Sequence, residues 1–525
     1  MDTGSDRTLF LLNVALLILV HLHGSSSCRT GTRAECEEAR FVPGYNLAGE
    51  GFDVVSMLRK GAYVIDVKAA AAPNHTCTLC ENRFQGGQVQ KLPAPVLDWR
   101  PFSSCSKQLS SMLHHSVDSF IRSSTAAIGD NWNTGLNVDA VGQGILKGSR
   151  SDIAHFASIQ ASMDKATFAT HEISCSYYSY RLADRPPVSM EFFKHLQTLP
   201  QKFDDKSRLL YQRIIDTYGT HYIRQVRLGG RIRRVSAFRT CLATLMGFSE
   251  SDIKNCLNVE LKATLGLLPA NVSFSQKCRD ILKNNMSMGF YQGFMAHKIQ
   301  VSGGEKYLPD VVPHQVPSEA YSSWISSLTD DPDIVSFTIL PLHYLVHDPH
   351  VRDNLKQTVQ EYIRENELQV DHSKVRRCLS SPNLDYNCCP LRAGRGRLSI
   401  VVQRASDLRA DLFTRTDGFV KVMYGDKYEQ TDFLKDENNP TWNVLLNFGS
   451  VELGHQLIFE VWDKDILFND LLGVCRIYPE RGTHLHSCRL NHGVFYYSYT
   501  VVCDAHLIGP RCGRYSPSHS VTEFL

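Results

Sequence analysis

Apolar residues recur along this chain with two different periods, and the point where one gives way to the other organises the reading. From Phe203 to Thr217, Leu209, Leu210, Ile214 and Ile215 fall at helical spacing and predict a helix. The helix runs into Tyr218-Gly219-Thr220-His221-Tyr222, and Tyr222 to Leu228 then reads as strand. Gly229-Gly230, before Arg231, allow a bend or a close backbone approach that a side chain would block, so this junction is a candidate hinge. Beyond it, Val259, Leu261, Ala263, Leu265 and Leu267 alternate with Asn258, Glu260, Lys262, Thr264 and Gly266, a strict period of two. A second arm, Val272, Phe274 and Gln276 against Ser273, Ser275 and Lys277, follows the turn-forming Leu268-Pro269-Ala270-Asn271 and alternates less cleanly. About ten residues of such a pattern suit one strand of a transmembrane barrel. On pattern alone, an ordinary half-buried hairpin is the favoured reading.

The rest of this region predicts mixed helix and strand. Phe290 to Gln300 reads as strand, Ser318 to Leu328 as helix, and Asp330-Asp331-Pro332 as a turn into the strand Ile334 to Leu340. His350 to Glu367 has the spacing of an exposed helix. From Gly396 short strands return at Leu398, Ile400 and Val402, then Phe419 to Tyr424, then Leu457 to Trp462, a β-sandwich rhythm. At the other end, Arg7, an apolar run from Leu9 to Val20 and small residues Gly24 to Ser27 predict a secretory signal peptide over 1–27.

Composition narrows the function. The 525 residues have room for two to four domains. Fifty-six basic against 54 acidic residues leave no net field to attract nucleic acid. After the leader, no apolar run approaches the roughly 18 to 20 residues of a membrane helix. The expected product is secreted and initially soluble. All sixteen cysteines lie in the exported part, so disulfides are expected. Cys77-Thr-Leu-Cys80 lacks the second pair a zinc site needs, and is expected to pair with Cys36 and Cys28 instead. Cys256 and Cys278 bracket the amphipathic hairpin, where a bridge would limit its unfolding. Cys105, Cys175, Cys475, Cys488, Cys503 and Cys512 are further disulfide candidates. His221 has no serine, cysteine or carboxylate beside it to form a base and nucleophile pair, and is expected to be a core histidine with a backbone partner. Neither enzymatic chemistry nor a small-molecule substrate is expected; a hydrolase using His221 would lose turnover on His221→Ala. Glycosylation sequons stand at Asn74, Asn271 and Asn285. A glycan at Asn271, near a hairpin tip, would have to cross the bilayer, so occupancy there opposes the strand assignment.

In the β-rich region, Asp411 and Asp417 flank one loop, and Asp463, Asp465 and Asp470 line another, with Asn439-Pro440-Thr441-Trp442 between. A single Asp-x-Asp is usually a solvated turn.

Tyr-Gly-Thr-His-Tyr followed by Gly-Gly-Arg resembles the signature of the membrane attack complex/perforin family, and the chain after residue 395 resembles a C2 domain. Together these cover almost all of the mature length. The resemblance implies an α+β fold, a bent, twisted antiparallel sheet flanked by helical clusters, over 28–370. A short disulfide-stapled linker at 371–395, an all-β C2 sandwich at 396–502 and a tail at 503–525 would follow. The family pattern has a cysteine-dense module resembling epidermal growth factor at the linker, whereas this chain keeps only Cys378, Cys388 and Cys389. That pattern would pair Cys241 with Cys389 and leave Cys378 with Cys388.

The resemblance further implies two helical clusters that unravel into amphipathic strands and line a pore shared by many subunits. The second would be Leu242 to Ser287. The first would span Val141 to Ser174, between a strand near Trp132 to Val138 and Cys175; it is rich in Gly142, Gly144, Gly148, Ser149 and Ser151, and Ile159, Ala161 and Met163 alternate with Gln160, Ser162 and Asp164. Insertion must be collective, because unpaired backbone groups in hydrocarbon cost several kcal/mol each. Arg213, ahead of the signature, is a candidate contact to the neighbouring subunit. In a C2-like frame, Asp411, Asp417, Asp463, Asp465 and Asp470 would supply oxygen ligands to Ca2+. Leu412, Phe413, Ile466, Leu467 and Phe468 would wedge into headgroups, while Asn469 departs from the more acidic family loop. The implied activity is a secreted, calcium-dependent pore former, stored in acidic secretory granules, that binds the phospholipid membrane of target cells and assembles with itself. The alternative is a nonlytic member that uses calcium to adhere to membranes or a partner.

Overall fold

A computed structural model describes residues 28–68, 76–105, 109–139, 144–268, 271–287, 295–305, 320–369, 382–409, 415–466 and 468–517. The leader at 1–27, Asn74, and residues 371–381 of the linker expected at 371–395 lie outside the described residues. The chain divides into two units, one of residues up to 161 with 166–238 and 251–372, the other of 162–165, 239–250 and 373 onward.

Strands of the first unit are, in chain order, β1 (Cys28–Gly31), β2 (Glu50–Asp53), β3 (Leu58–Tyr63), β4 (Cys77–Asn82), β5 (Gln88–Lys91), β6 (Val96–Cys105), β7 (Ser110–His114), β8 (Ala166–Leu182), β9 (His221–Arg239), β10 (Met295–Ser302) and β11 (Asp333–Pro341). β1, β4 and β5 form a small sheet. The other eight form one sheet in the order β3-β2-β9-β8-β6, with β10 and β11 also on β9 and β7 on β8. The ladders β2–β3, β2–β9, β9–β10, β9–β11, β6–β8 and β7–β8 run antiparallel. Helices used below are α1 (Asp152–Met163), α2 (Asp205–Tyr218), α3 (Thr240–Leu245), α4 (Glu250–Thr264), α5 (Gln276–Ser287), α6 (Ala320–Ser327) and α7 (Pro349–Glu365).

The 19-residue β9 changes partner along its length. Its first half, His221 to Gly229, pairs with β11, and Arg231 to Phe238 pairs with β10. The glycine pair stands at that exchange. A Cβ on Gly229 would come within 2.0 Å of the Cys175 carbonyl oxygen, and one on Gly230 within 2.3 Å of Leu328 Cδ2. The glycines therefore permit close packing inside a continuous strand rather than ending it.

Helix α2 is capped by Asp204, which accepts from the Ser207 amide while the Ser207 hydroxyl accepts from the Asp204 amide. It buries Tyr211, Ile214, Ile215 and Tyr218; Leu209 and Leu210, which the spacing placed on the same stripe, are exposed. The tyrosines supply the turn of the stripe that the aliphatic pair was expected to fill. Gly219 ends the helix at φ 79°, and a Cβ there would meet the Phe52 backbone at 2.5 Å.

Three sequence expectations are corrected here. Trp132 to Val138 is not a strand: Asp130–Asn133 forms a 3-10 turn, and the positive φ of Gly135 and Asn137 breaks extended structure. The region expected as the first cluster, Val141 to Ser174, contains α1 but gives its last part to the sheet, since β8 starts at Ala166. The period-two segment Val259 to Leu267 is not a strand, since Val259, Leu261 and Ala263 lie on α4. The same residues satisfy a helical period, with Ile253, Leu257, Leu261 and Leu265 buried at every fourth position.

Strands of the second unit are β12 (Arg395–Ser406), β13 (Gly418–Tyr424), β14 (Lys427–Gln430), β15 (Thr441–Glu452), β16 (Leu457–Asp463), β17 (Asp470–Ile477), β18 (Gly482–Arg489), β19 (Val494–Cys503), β20 (Leu507–Ile508) and β21 (Arg514–Tyr515). Two four-stranded sheets, β15-β12-β19-β18 and β14-β13-β16-β17, make an all-β sandwich. Its core holds Leu398, Ile400, Val402, Val420, Val422 and Phe459. Disulfides join Cys28–Cys80, Cys36–Cys77, Cys105–Cys175, Cys241–Cys389, Cys256–Cys278, Cys475–Cys488 and Cys503–Cys512. Cys388 is also disulfide-bonded; its expected partner, Cys378, lies outside the described residues.

Candidate functional site

At the junction of α2 and β9, the side chains of Tyr218, Thr220 and His221 make internal polar contacts. Tyr218 Oη lies 2.9 Å from His195 Nδ1, and the Thr220 hydroxyl accepts from the Val54 amide at 3.1 Å. His221 donates from Nε2 to the Trp132 carbonyl at 2.7 Å, and its Nδ1 lies 2.7 Å from the Thr220 hydroxyl. Complete burial pushes the His221 pKa down to about 3, so the ring stays neutral. His221 is a satisfied core histidine that ties the strand start to the segment carrying Trp132. Arg213 stands exposed on α2, one turn before the signature.

Helix α4 is held against the sheet by both apolar and polar contacts. Leu261 and Leu265 pack in a cluster with Ile173, Ile232, Trp324 and Leu328. Val259, Ala263 and Leu267 are half-buried. Arg234 on β9 donates to Glu260 at 2.8 Å, and His171 on β8 donates from Nε2 to the Lys254 carbonyl at 3.3 Å. Burial pushes the His171 pKa down to about 4. Lys277 at the start of α5 pairs with Asp252 on α4 at 2.6 Å, near the Cys256–Cys278 bridge. Asn271 is exposed between the two helices, and Asn285 falls within α5.

Sequence reasoning missed the Arg234–Glu260 and His171 contacts, whose partners are far apart in the chain. The one available signal was Arg233-Arg234 in a strand flanked by Ile232 and Val235. It also missed Asp164, just before β8, which accepts from Arg239 at the end of β9 and from the Tyr515 hydroxyl, each at 2.8 Å.

In the sandwich, β16 carries Asp463 opposite both Gly418 and Asp470. Asp463 is buried and accepts from the Asp417 amide at 2.6 Å, while Asp417 accepts from the Asp436 amide at 2.7 Å. Asp465 and Asp470 are exposed, and the Asp465 amide donates to Asn469 at 3.2 Å. The structure thus brings Asp417, Asp463 and Asp470 to one end of the sandwich. Among the described residues, no group of three or more His, Cys, Asp or Glu is arranged to hold a metal. Asp411, Leu412, Phe413 and Leu467 lie outside the described residues. Ile466 and Phe468 are exposed, at 101% and 84%. The donors present are carboxylate oxygens on neighbouring loops, a chemistry that suits calcium and not a thiophilic metal.

Residues 42–372 match the model of the MAC/Perforin domain, and 396–491 match that of the C2 domain. The chain is 33% identical to Perforin-1 of Mus musculus, covering 97% of this chain and 96% of that protein. It is 34% identical to Perforin-1 of Homo sapiens over 94% of each. Complement component C6 of Bos taurus is 26% identical over 43% of this chain and 24% of its own. With its domain of that family and a following C2 domain, the chain belongs to the membrane attack complex/perforin family.

Proposed function

We propose that this protein is a secreted, calcium-dependent pore former without enzymatic chemistry. Its C2 domain binds the phospholipid membrane of target cells; copies assemble into a ring and insert amphipathic hairpins as a closed β-barrel. One observation carries the reading: the segment around α4 obeys two periods at once. Its helical period buries Leu257, Leu261 and Leu265 in the soluble fold. Its period of two would give a strand with one apolar face, from Val259 to Leu267. Similarity to Perforin-1 over nearly the whole chain supports assigning that second period to a membrane state.

At the membrane end, Asp417, Asp463, Asp465 and Asp470, with Asp411, would hold Ca2+, which neutralises the loops so that Ile466 and Phe468 enter the interface. Protons compete with the metal for carboxylates, so storage in an acidic granule would keep the protein silent. Arg213 would contact the next subunit, and Arg213→Glu is expected to block rings on electron micrographs while leaving lipid binding intact. Dye release from liposomes with calcium tests the whole reading. Binding without leakage would instead favour a nonlytic adhesion protein of the same fold.

A further inference from the structure

Chain order and sheet order together bring both helical clusters to one pair of strands. α1 lies between β7 and β8, while α4 and α5 lie between β9 and β10. β8 and β9 are neighbours in the sheet, so the two proposed hairpins would meet along their extensions. Gly229 lies against Cys175, and the Thr240 amide donates to the Lys165 carbonyl at 2.9 Å, so β8 and β9 run antiparallel. That second hydrogen bond stands where the helices take over, since α1 ends at Met163 and α3 starts at Thr240.

Asp164 sits beside this rung, fully buried, with both carboxylate oxygens in use. Arg239 donates from Nε to Oδ2 at 2.8 Å, and the Tyr515 hydroxyl and the Lys165 amide each donate to Oδ1 at 2.8 Å. The Arg239 guanidinium also lies 5.4 Å from the centre of the Tyr515 ring. Tyr515 is itself held in place: it stands opposite Leu507 in the β20–β21 pair, Cys503–Cys512 closes that loop, and Leu507 and Cys512 belong to the sandwich core. Residues 162–165 and 239–250 accordingly group with the sandwich and its tail, although the chain on either side of them belongs to the sheet unit.

This arrangement is selective for register. With Thr240 opposite Lys165, extended strands would place Asp164 and Arg239 on one face as diagonal neighbours, a separation that long side chains bridge. A slip of one residue would put them on opposite faces and break the pair, and would turn every side chain beyond it to the wrong face. We propose that Asp164, Arg239 and Tyr515 form a register clamp. They hold the rung from which β8 and β9 lengthen, so that the two hairpins meet with their apolar faces on the same side. This rests on the pore-forming reading above. The clamp stays closed during insertion, and the chain that changes conformation lies beyond it, before Asp164 and after Thr240. Tyr515 is a positioning residue: by occupying one carboxylate oxygen it presents the other to Arg239.

Tyr515→Phe keeps the ring and removes only the hydroxyl. The test compares it with wild type by liposome flotation, ring number on electron micrographs, unfolding midpoint and dye release with calcium. The expected result is dye release about tenfold slower, the factor that loss of one hydrogen bond to a charged group sets on a rate, at unchanged flotation and ring number. Release at the wild-type rate overturns the clamp. Slower release that only tracks fewer rings and a lower midpoint also overturns it, because a merely structural bond would give that result. Should Tyr515→Phe fail to fold, Arg239→Lys, which keeps the charge and loses the Nε donor, decides by the same comparison. Absence of leakage from wild type refutes pore formation itself, and the clamp with it; leakage from wild type with an unaffected variant refutes the clamp alone.

Discussion

Arg234 on β9 donates from Nη1 to Glu260 Oε2 on α4 at 2.8 Å, and the two side chains are 5% and 8% exposed. This is the buried charge contact by which the central strand holds the helix proposed to leave it. Removing one partner strands the other charge in a dry site, at a cost of about 3 to 5 kcal/mol. Arg234→Ala is therefore expected to lower stability by that order in urea unfolding at neutral pH. An unfolding midpoint equal to wild type would mean the pair is not buried in solution. Replacing both residues, Arg234→Met with Glu260→Leu, should recover most of the loss.

The proposed lipid face is best tested where the soluble fold is tolerant. Leu265 is buried against Ile173 and Trp324 in the helical state, so Leu265→Lys would disturb both states. Val259 is only half-buried on α4. A lysine at the bilayer midplane costs about 2 to 4 kcal/mol per strand. Val259→Lys is expected to keep liposome flotation and the unfolding midpoint near wild type while abolishing dye release. Wild-type leakage by this variant would remove Val259 from the lipid face.

How much was legible in the sequence follows from how far each signal reaches along the chain. Alternation at Leu398, Ile400 and Val402, or at Leu457 to Trp462, is local and corresponds to β12 and β16. Val259 to Leu267 misled because Leu257, Leu261 and Leu265 also fit a helix, and packing on Ile173, Ile232 and Leu328 decides between the periods in the soluble fold. Leu209 and Leu210 misled in the opposite way, since the tyrosines at 211 and 218 outcompeted them for the core. Within β9, the glycine pair showed that something approaches closely, but that it is the Cys175 carbonyl depends on a strand some 50 residues earlier. The aspartate loops were legible as a set of acids. Which side chains converge depends on ladder register, as with Asp463 opposite Asp470.

Acid should weaken the fold through its buried histidines. His221 and His171 are held neutral, with pKa values pushed down to about 3 and about 4 mainly by burial. In the unfolded chain both would titrate near 6.5. The unfolded state therefore binds more protons below that value, and stability present above pH 6.5 is lost progressively as pH falls toward about 4. At pH 5 each histidine contributes a loss of about 2 kcal/mol. The unfolding midpoint is expected to fall between pH 7 and pH 5, and His171→Phe should flatten that slope. An unchanged slope would mean His171 is protonated or exposed in solution.

The calcium reading turns on Asp463, the buried member of the acidic set. Its Oδ1 already accepts from the Asp417 amide, which fixes the carboxylate at the base of the loop and leaves Asp465 and Asp470 as exposed neighbours on the same end of the sandwich. An amide in its place keeps the size and an accepting oxygen, so Asp463→Asn should preserve the fold while removing one negative charge from the metal site. Calcium affinity should fall steeply, and with it the entry of Ile466 and Phe468 into the interface. Flotation with anionic liposomes is expected at neutral pH with calcium, and to disappear with EGTA, with Asp463→Asn, and on mild acidification as protons displace the metal. Near-UV circular dichroism separates loss of binding from loss of fold. Binding that persists through chelation, acid and Asp463→Asn alike would refute calcium as the switch, and would leave the exposed apolar tip at Ile466 and Phe468 to hold the membrane without it.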